Sequence, residues 1–297
     1  MIRVSEILTF LDEEGIQYTF CGDKNISVNR FSSLTQYKSD SFTWIKKAES
    51  IPDNFDLSQI TLAFVTTGVK ANLQNVIETD ESKRAFFSTI EHFYAEEEDR
   101  PAIGQFTYVS PKVKLGKNVR IGHNCTLDGD ITIGDNTVIW NGVTIINRVN
   151  IGCDCEIQSG TTIGHDGFGY SEDTNHKKTM VKHYGGVSIG NNVFIAENVT
   201  ISRGTIDDTT IKDGVKIDSL TRVGHNSFFE EDAALALPCG ISGSVHLGKN
   251  AYIGGATIRN QCVVGENAFV GMGAIVVKSV EPNQTVVGNP AKPFMKK

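Results

Sequence analysis

From residue 103 onward an aliphatic residue returns at every sixth position. Ile103, Val109, Leu115, Ile121, Leu127, Ile133, Ile139, Ile145, Ile151, Ile157 and Ile163 keep this spacing without a slip. Ile189, Ile195 and Ile201 resume it after an interruption. The count then shifts phase once and runs through Ile211, Ile217, Val223, Phe229, Leu235, Ile241, Leu247 and Ile253. An α-helix needs a period of about 3.6 and a hairpin sheet alternates at two. Neither produces a strict six.

A six-residue period fits a solenoid in which each unit gives one short strand and one turn, and three units close a triangular coil. The aliphatic points inward and stacks on its counterpart in the next coil. Small or β-branched residues four places later (Cys125, Ile131, Thr137, Val143, Cys155, Thr161) fill the remaining interior. Glycines such as Gly122, Gly134, Gly224 and Gly248 follow the inward residue, where the turn leaves little room. Asn118, Asp135, Asn136, Asn192 and Asn250 suit the corners. The expected fold is therefore mainly β, a parallel β-helix over residues 101–280 with residues 281–297 as a C-terminal tail. Its one long interruption, 165–188, is polar, rich in glycine and charge, and without core periodicity. A loop of about two dozen residues on so uniform a scaffold is usually functional.

Residues 1–100 read as a small α/β domain. Val4, Ile7, Leu8 and Leu11 follow helical spacing and Gly15 is a natural stop. Ile16, Tyr18 and Phe20 alternate as a strand would, Thr61 to Thr67 reads as a second, buried strand, and Ala71 to Ala95 as largely helical. The acidic run Glu96 to Asp99, followed by Arg100 and Pro101, is a plausible boundary.

Composition narrows the function classes. With 39% hydrophobic and 21% charged residues the chain is of soluble globular type. A net charge of −7 argues against nucleic acid as a partner, since phosphate binding needs clustered Lys and Arg. The N-terminus interleaves apolar residues with charges from Glu6 to Glu14, unlike a secretory signal. No apolar run approaches the ~18 residues of a membrane span, so a cytoplasmic location is expected. The six cysteines show no disulfide framework or zinc spacing and suit apolar filler in a reducing compartment. Cys153 and Cys155, two apart, would share a face if both lay on a strand.

A filled prism has no internal cavity, so its site must lie on an outer face or between prisms. His225, two places after the inward Val223, points outward at a corner. His123 and His165 occupy the same repeat position, and turns accept histidine readily.

IGHDGFGY (Ile163 to Tyr170), TISRGTIDDT (Thr200 to Thr209), KIDSLTRVGHN (Lys216 to Asn226) and GGAT (Gly254 to Thr257) occur in order. This series resembles the signature of the UDP-3-O-acyl-glucosamine N-acyltransferase family of the lipid A pathway, within the hexapeptide-repeat acyltransferases. Phe31 to Ser50 also resembles that family's nucleotide-binding domain. The resemblance covers most of the chain. It implies a left-handed coil, although parallel crossovers are normally right-handed, and a homotrimer with sites between neighbours. It implies N-acyl transfer from a thioester, acyl-CoA or acyl carrier protein, to the amine of a nucleotide-linked sugar, with no permanently bound cofactor.

Carried onto matching positions, the resemblance makes His225 the general base, and an imidazole near pKa 6.5 suits that task at neutral pH. Gly243 would give a backbone N–H to the oxyanion; a tight corner explains a glycine there equally. Asp218 would orient the sugar or the imidazole, or serve as a turn residue. Asp166, Phe168 and Tyr170 would contact sugar or nucleotide, or anchor the loop. Trp44 would stack on uracil, or belong to the core.

Several positions depart from the family pattern. Ser219 replaces an Asn, Ser202 an Asp, and Cys262 a second histidine. Lys47 and Ser50 stand for an Asn and a Tyr. The ending GNPAKPFMKK resembles that of acyl-CoA-dependent enzymes and lacks the helices that engage acyl carrier protein. An acyl-CoA-dependent enzyme acting on a dTDP- or UDP-amino-deoxy sugar of O-antigen is the alternative. A zinc carbonic anhydrase on this prism would need closely spaced histidines; only His176 and His183 come near. A non-catalytic scaffold with the loop as docking surface is the third reading.

Overall fold

In the computed structural model, Ile121 pairs in parallel with Ile139, Ile139 with Ile157, Leu127 with Ile145, and Ile145 with Ile163. Each partner lies eighteen positions on, so three six-residue units make one coil. The structure describes residues 1–95 and 101–294, and the chain divides into two compact units, Met1–Glu98 and Asp99–Lys297. The acidic run expected as a boundary, with Arg100, lies outside the described residues.

The second unit is a stack of such coils around one apolar core running from Val119 to Val286. Ile121, Leu127, Ile139, Ile145, Ile157 and Ile163 are all buried, as are Cys125, Ile131, Thr137, Val143, Cys155 and Thr161 between them. Each fully buried aliphatic contributes roughly 1.5–3 kcal/mol, and stacking repeats that contribution down the axis. Ile103 and Leu115 remain exposed, because the first coil has no earlier coil of this unit to stack on.

Two insertions account for the breaks in the count. Ile163 pairs with Ile201 and Ile151 with Ile189. The residues between are extruded as an antiparallel hairpin, Tyr170–Glu172 with Lys178–Met180. Ile189 pairs with Ile211 and Ile201 with Val223, four residues more than a coil requires. The excess forms a turn near Arg203–Asp208. Arg203 Nε donates to the Gly185 carbonyl at 2.6 Å, and Asp208 accepts from Arg148 at 2.5 Å and from the Gly186 N–H at 2.6 Å.

The corners explain the Asn positions. Asn118, Asn136, Asn192 and Asn250 have φ between 55° and 59°, a region Asn tolerates. Asn118 Nδ2 donates to Asn136 Oδ1 at 3.0 Å, and Asn136 Nδ2 to Asp154 Oδ1 at 3.0 Å, which ties successive coils. Asp135 plays a different part, its carboxylate accepting the Lys117 N–H at 2.7 Å. Cys153 and Cys155 do not share a face. Asp154 between them sits at φ 55°, so Cys153 lies at the turn while Cys155 points into the core.

The first unit has a five-stranded sheet ordered Thr19–Cys21, Val76–Glu78, Leu62–Val65, Ser41–Ile45, Arg30–Phe31, parallel except for its first pair. Helix α1 (Val4–Glu13) buries Val4, Ile7 and Leu11, and the chain turns at Gly15 with φ 67°. The stretch expected as largely helical from Ala71 is not so. Val76–Glu78 is a strand and helix α2 spans only Ser82–Tyr94. Ile77 is pulled into the sheet beside Phe64 and Phe20, where tertiary pairing overrides local helix preference. Ile16 is buried ahead of the strand, which begins only at Thr19. Among the described residues no helix is long and apolar enough to cross a membrane.

Candidate functional site

A cleft of about 620 Å³ opens on the coil surface, lined by Phe168, Arg222, His225, Ser242, Gly243, Ser244, Asn260 and Gln261. It forms where the regular corner chemistry is interrupted. At four other corners the N–H two places after an inward aliphatic is taken by an Asn or Asp of the next coil. Lys117 is held by Asp135, His123 by Asn141, Cys153 by Asn191 and Asn191 by Asp213, all at 2.7–2.8 Å. At the corner below His225 the equivalent residue is Gly243, with no side chain to give. The Gly243 N–H itself has no hydrogen-bond acceptor among the described residues. Both N–H groups are therefore available beside the imidazole.

Gly243 also sets the ring position. A Cβ there would lie 2.7 Å from His225 Nε2 and 2.9 Å from Cε1, far inside contact distance. On the other side a Cβ at Gly167 would lie 2.7 Å from His225 Cδ2. The imidazole is thus held between two glycines. Its Nδ1 is sealed from solvent without a partner, whereas Nε2 is left to the cleft. Burial pushes the His225 pKa down, helped by the neighbouring His183 and then by the Arg222 guanidinium. His123, at the same repeat position, is engaged instead, its Nδ1 accepting the Gln105 N–H at 2.8 Å. His165 is exposed and lines no part of the cleft.

The DGFGY segment alternates. Gly167 and Gly169 face inward, one against His225 and the other against His183, so Phe168 and Tyr170 point outward. Their rings meet at 4.9 Å, and Phe168, 76% exposed, borders the cleft. The Asp166 carboxylate accepts the His183 N–H at 3.4 Å and so braces the base of the hairpin. Asp218 does not reach the imidazole. Its oxygens accept the Leu237 N–H at 2.7 Å and the Ser219 N–H at 2.8 Å, and these bonds hold its carboxyl below the usual range. Cys262 is buried core and offers nothing to the surface; Asn260 and Gln261 border the cleft instead.

Trp44 belongs to the first unit. It borders a separate cleft of about 560 Å³ with Phe31, Lys46, Ser50 and Phe87. Its indole Nε1 donates to Ser82 Oγ at 3.0 Å and its ring stacks near Phe86. The half-buried indole is fixed by that bond and borders the cleft. Lys47 faces another opening, with Lys46 and Lys70.

Sequence reasoning weighed His183 only as a zinc ligand and gave it no place beside His225. It sits in the polar insertion with no periodic signal, yet it is 1% exposed and meets the His225 ring edge-to-face at 5.1 Å. Its partner in the zinc reading, His176, is exposed and pairs with Glu172, so the two do not converge.

Two family models match the coil. "Bacterial transferase hexapeptide (six repeats)" covers residues 112–147, and "Hexapeptide repeat of succinyl-transferase" covers residues 244–278. A UDP-3-O-acylglucosamine N-acyltransferase of Janthinobacterium sp. is 33% identical over 157 residues, 52% of this chain and 45% of the relative. A protein of Francisella tularensis subsp. holarctica called UDP-3-O-acylglucosamine N-acyltransferase 1 is 31% identical over 234 residues, 70% of this chain and 66% of the relative. The chain spans about half the length of the curated relatives it matches first. Among solved structures, the UDP-N-acetylglucosamine acyltransferase of Francisella novicida aligns with TM-score 0.58 and 27% identity, over 64% of this chain and 68% of that one. LpxA of Acinetobacter baumannii aligns with TM-score 0.58 and 24% identity, over 65% and 74%. The coil is thus the left-handed parallel β-helix of those acyltransferases.

Proposed function

We propose, from the premise that this chain belongs to the UDP-3-O-acylglucosamine N-acyltransferase family of hexapeptide-repeat proteins, that it acylates the amino group of a nucleotide-linked amino sugar. The donor is an acyl thioester on acyl carrier protein or coenzyme A. The relatives named for an acylglucosamine substrate favour that sugar and the lipid A pathway over an O-antigen amino-deoxy sugar. The observation that carries the reading is the pairing of a bare His225 Nε2 with an unclaimed Gly243 N–H on one cleft.

The amine, having lost its first proton to solvent, attacks the thioester carbonyl carbon. A C–N bond forms and the electron pair moves to oxygen, where the Gly243 N–H receives the charge. His225 Nε2 takes the second proton from nitrogen; burial keeps this imidazole unprotonated at neutral pH. As the oxyanion collapses the C–S bond breaks, and the departing sulfur takes the proton back from His225. The products are an amide and a free thiol, the base is restored, and no bound cofactor is required.

Phe168, which borders the cleft, is assigned with Tyr170 and Asp166 to the sugar or nucleotide, and Trp44 to stacking on the nucleotide base. Long flat faces on the coil suit cyclic packing into a homotrimer, with the cleft completed by a neighbour; light scattering tests that state. A cytoplasmic location fits the supply of nucleotide sugars and thioesters.

Turnover is tested with UDP-3-O-acylglucosamine and either acyl carrier protein or coenzyme A thioester, with the amide identified by mass spectrometry. His225→Ala is expected to lose at least ~100-fold in kcat. Full turnover by that variant removes the proposal, and the donor that supports turnover decides between carrier and coenzyme.

A further inference from the structure

The sealed nitrogens of His183 and His225 present a donor–acceptor count with one solution. His183 Nδ1 lies 2.8 Å from the Val181 carbonyl oxygen. A carbonyl only accepts, so Nδ1 carries the proton and Nε2 of the neutral ring is a lone pair. That Nε2 is buried without a partner, and so is Nδ1 of His225. The two rings touch edge-to-face at 5.1 Å, with an interplanar angle of 84°. An unmet buried polar atom costs about 1–3 kcal/mol, and the two rings that carry these atoms are in contact.

We propose that His183 is a positioning residue for His225. Its Nε2 accepts the Nδ1–H of His225 and so fixes the tautomer that leaves Nε2 of His225 bare toward the cleft. The inference rests on the reading of His225 as the base, and it supplies what that reading lacks: a reason for the ring to carry its proton on the inner nitrogen. Which nitrogen of a histidine is protonated follows from the hydrogen bond the other makes.

The surroundings are arranged for this pair. Gly169 gives His183 its place, since a Cβ there would lie 3.1 Å from Cε1, as Gly167 does for His225. Asp166 braces the His183 backbone and leaves its ring free. Arg222, beside the cleft, is a donor and cannot receive the His225 proton. No carboxylate contacts either ring among the described residues. The inserted segment thereby acquires a role in the chemistry, because it carries the residue that orients the base.

The test reads the tautomer directly. Nitrogen NMR of the 15N-histidine-labelled full chain above pH 7, with His225 assigned by its absence in His225→Ala, is expected to find the Nδ1–H form. His183→Phe, which keeps a flat ring without an acceptor, is expected to move His225 toward the Nε2–H form. It should lower kcat by roughly 10–100-fold with KM within about threefold. His183→Gln offers an amide oxygen and is expected to retain kcat within about fivefold. An Nε2–H form in the unaltered protein overturns the proposal whether or not the variants fold. So does equal loss of kcat in the Gln and Phe variants. Since the tautomer is measured without turnover, failure here is distinct from failure of the base itself, which His225→Ala reports.

Discussion

Gly243 touches the working edge of His225: a single carbon added at position 243 would sit 2.7 Å from Nε2. The backbone there does not require left-handed φ, so Gly243→Ala should fold while tilting the imidazole away from the acceptor. A loss of roughly 10–100-fold in kcat/KM is expected, equivalent to about 1.4–2.7 kcal/mol, with an unchanged melting temperature. Gly240→Ala is the control. Its Cβ would meet Thr257 Oγ1 at an ordinary 3.4 Å, and activity should be kept.

The acid limb of kcat/KM should lie below the ordinary histidine value of about 6.5. Burial of His225 lowers its pKa first, then His183 and Arg222 when charged, so the neutral base persists to lower pH. Arg222→Gln removes one cation and should move the limb upward; a downward move would contradict the electrostatics. The linkage to stability has the same sign. The unfolded chain binds the proton more readily, so the contribution of His225 to stability is present above about 6.5 and is lost as pH falls through the folded value.

The coil was legible because its demand is local: every sixth side chain must fill the axis, and Ile121, Ile139 and Ile157 carry that requirement in their spacing alone. His225 and Gly243 could be singled out only through a motif, since a corner histidine such as His123 has the same spacing and a structural role. His183 was not legible, because its burial arises when the hairpin folds onto the His225 corner, and nothing in a polar insertion announces that contact. The strand Val76–Glu78 was hidden for a similar reason, as three residues between two other strands leave no period to read. Asp218 was singled out through the same motif, yet its oxygens accept the Leu237 N–H of the next coil and the adjacent Ser219 N–H.

That use of Asp218 makes it a stability residue. Leu237, whose N–H it accepts, has φ 67°, an unfavourable region for leucine. Asp218→Ala should therefore cost about 1.5–3 kcal/mol, as for a hydrogen bond to a charged group, seen as a lower melting temperature. Its carboxyl is held low first by the Leu237 N–H. The contribution is thus present above about 3.9 and lost as pH falls through the folded value. A variant with full stability and lost turnover would return Asp218 to the chemistry.

Phe168 separates binding from chemistry. It is exposed, its backbone is set by the glycines on either side, and its ring borders the cleft without touching the imidazole edges that the glycines enclose. Phe168→Ala should raise KM for the sugar by about tenfold with kcat within threefold, the pattern of lost uniform binding.

Trp44 gives the last separation, between nucleotide affinity and acyl transfer. Its Nε1–H is spent on Ser82 Oγ at 3.0 Å, and Phe86 and Phe87 flank the ring, so what remains for a ligand is apolar surface rather than a donor. Trp44→Phe should therefore bind uridine diphosphate nearly as well as the unaltered chain. Trp44→Ala should weaken it by about tenfold, the upper range for one aromatic contact. Titration calorimetry with uridine diphosphate alone measures both. Equal affinity in the alanine variant would place the nucleotide elsewhere, and the lysine-lined opening of Lys46, Lys47 and Lys70 would be the next surface to test.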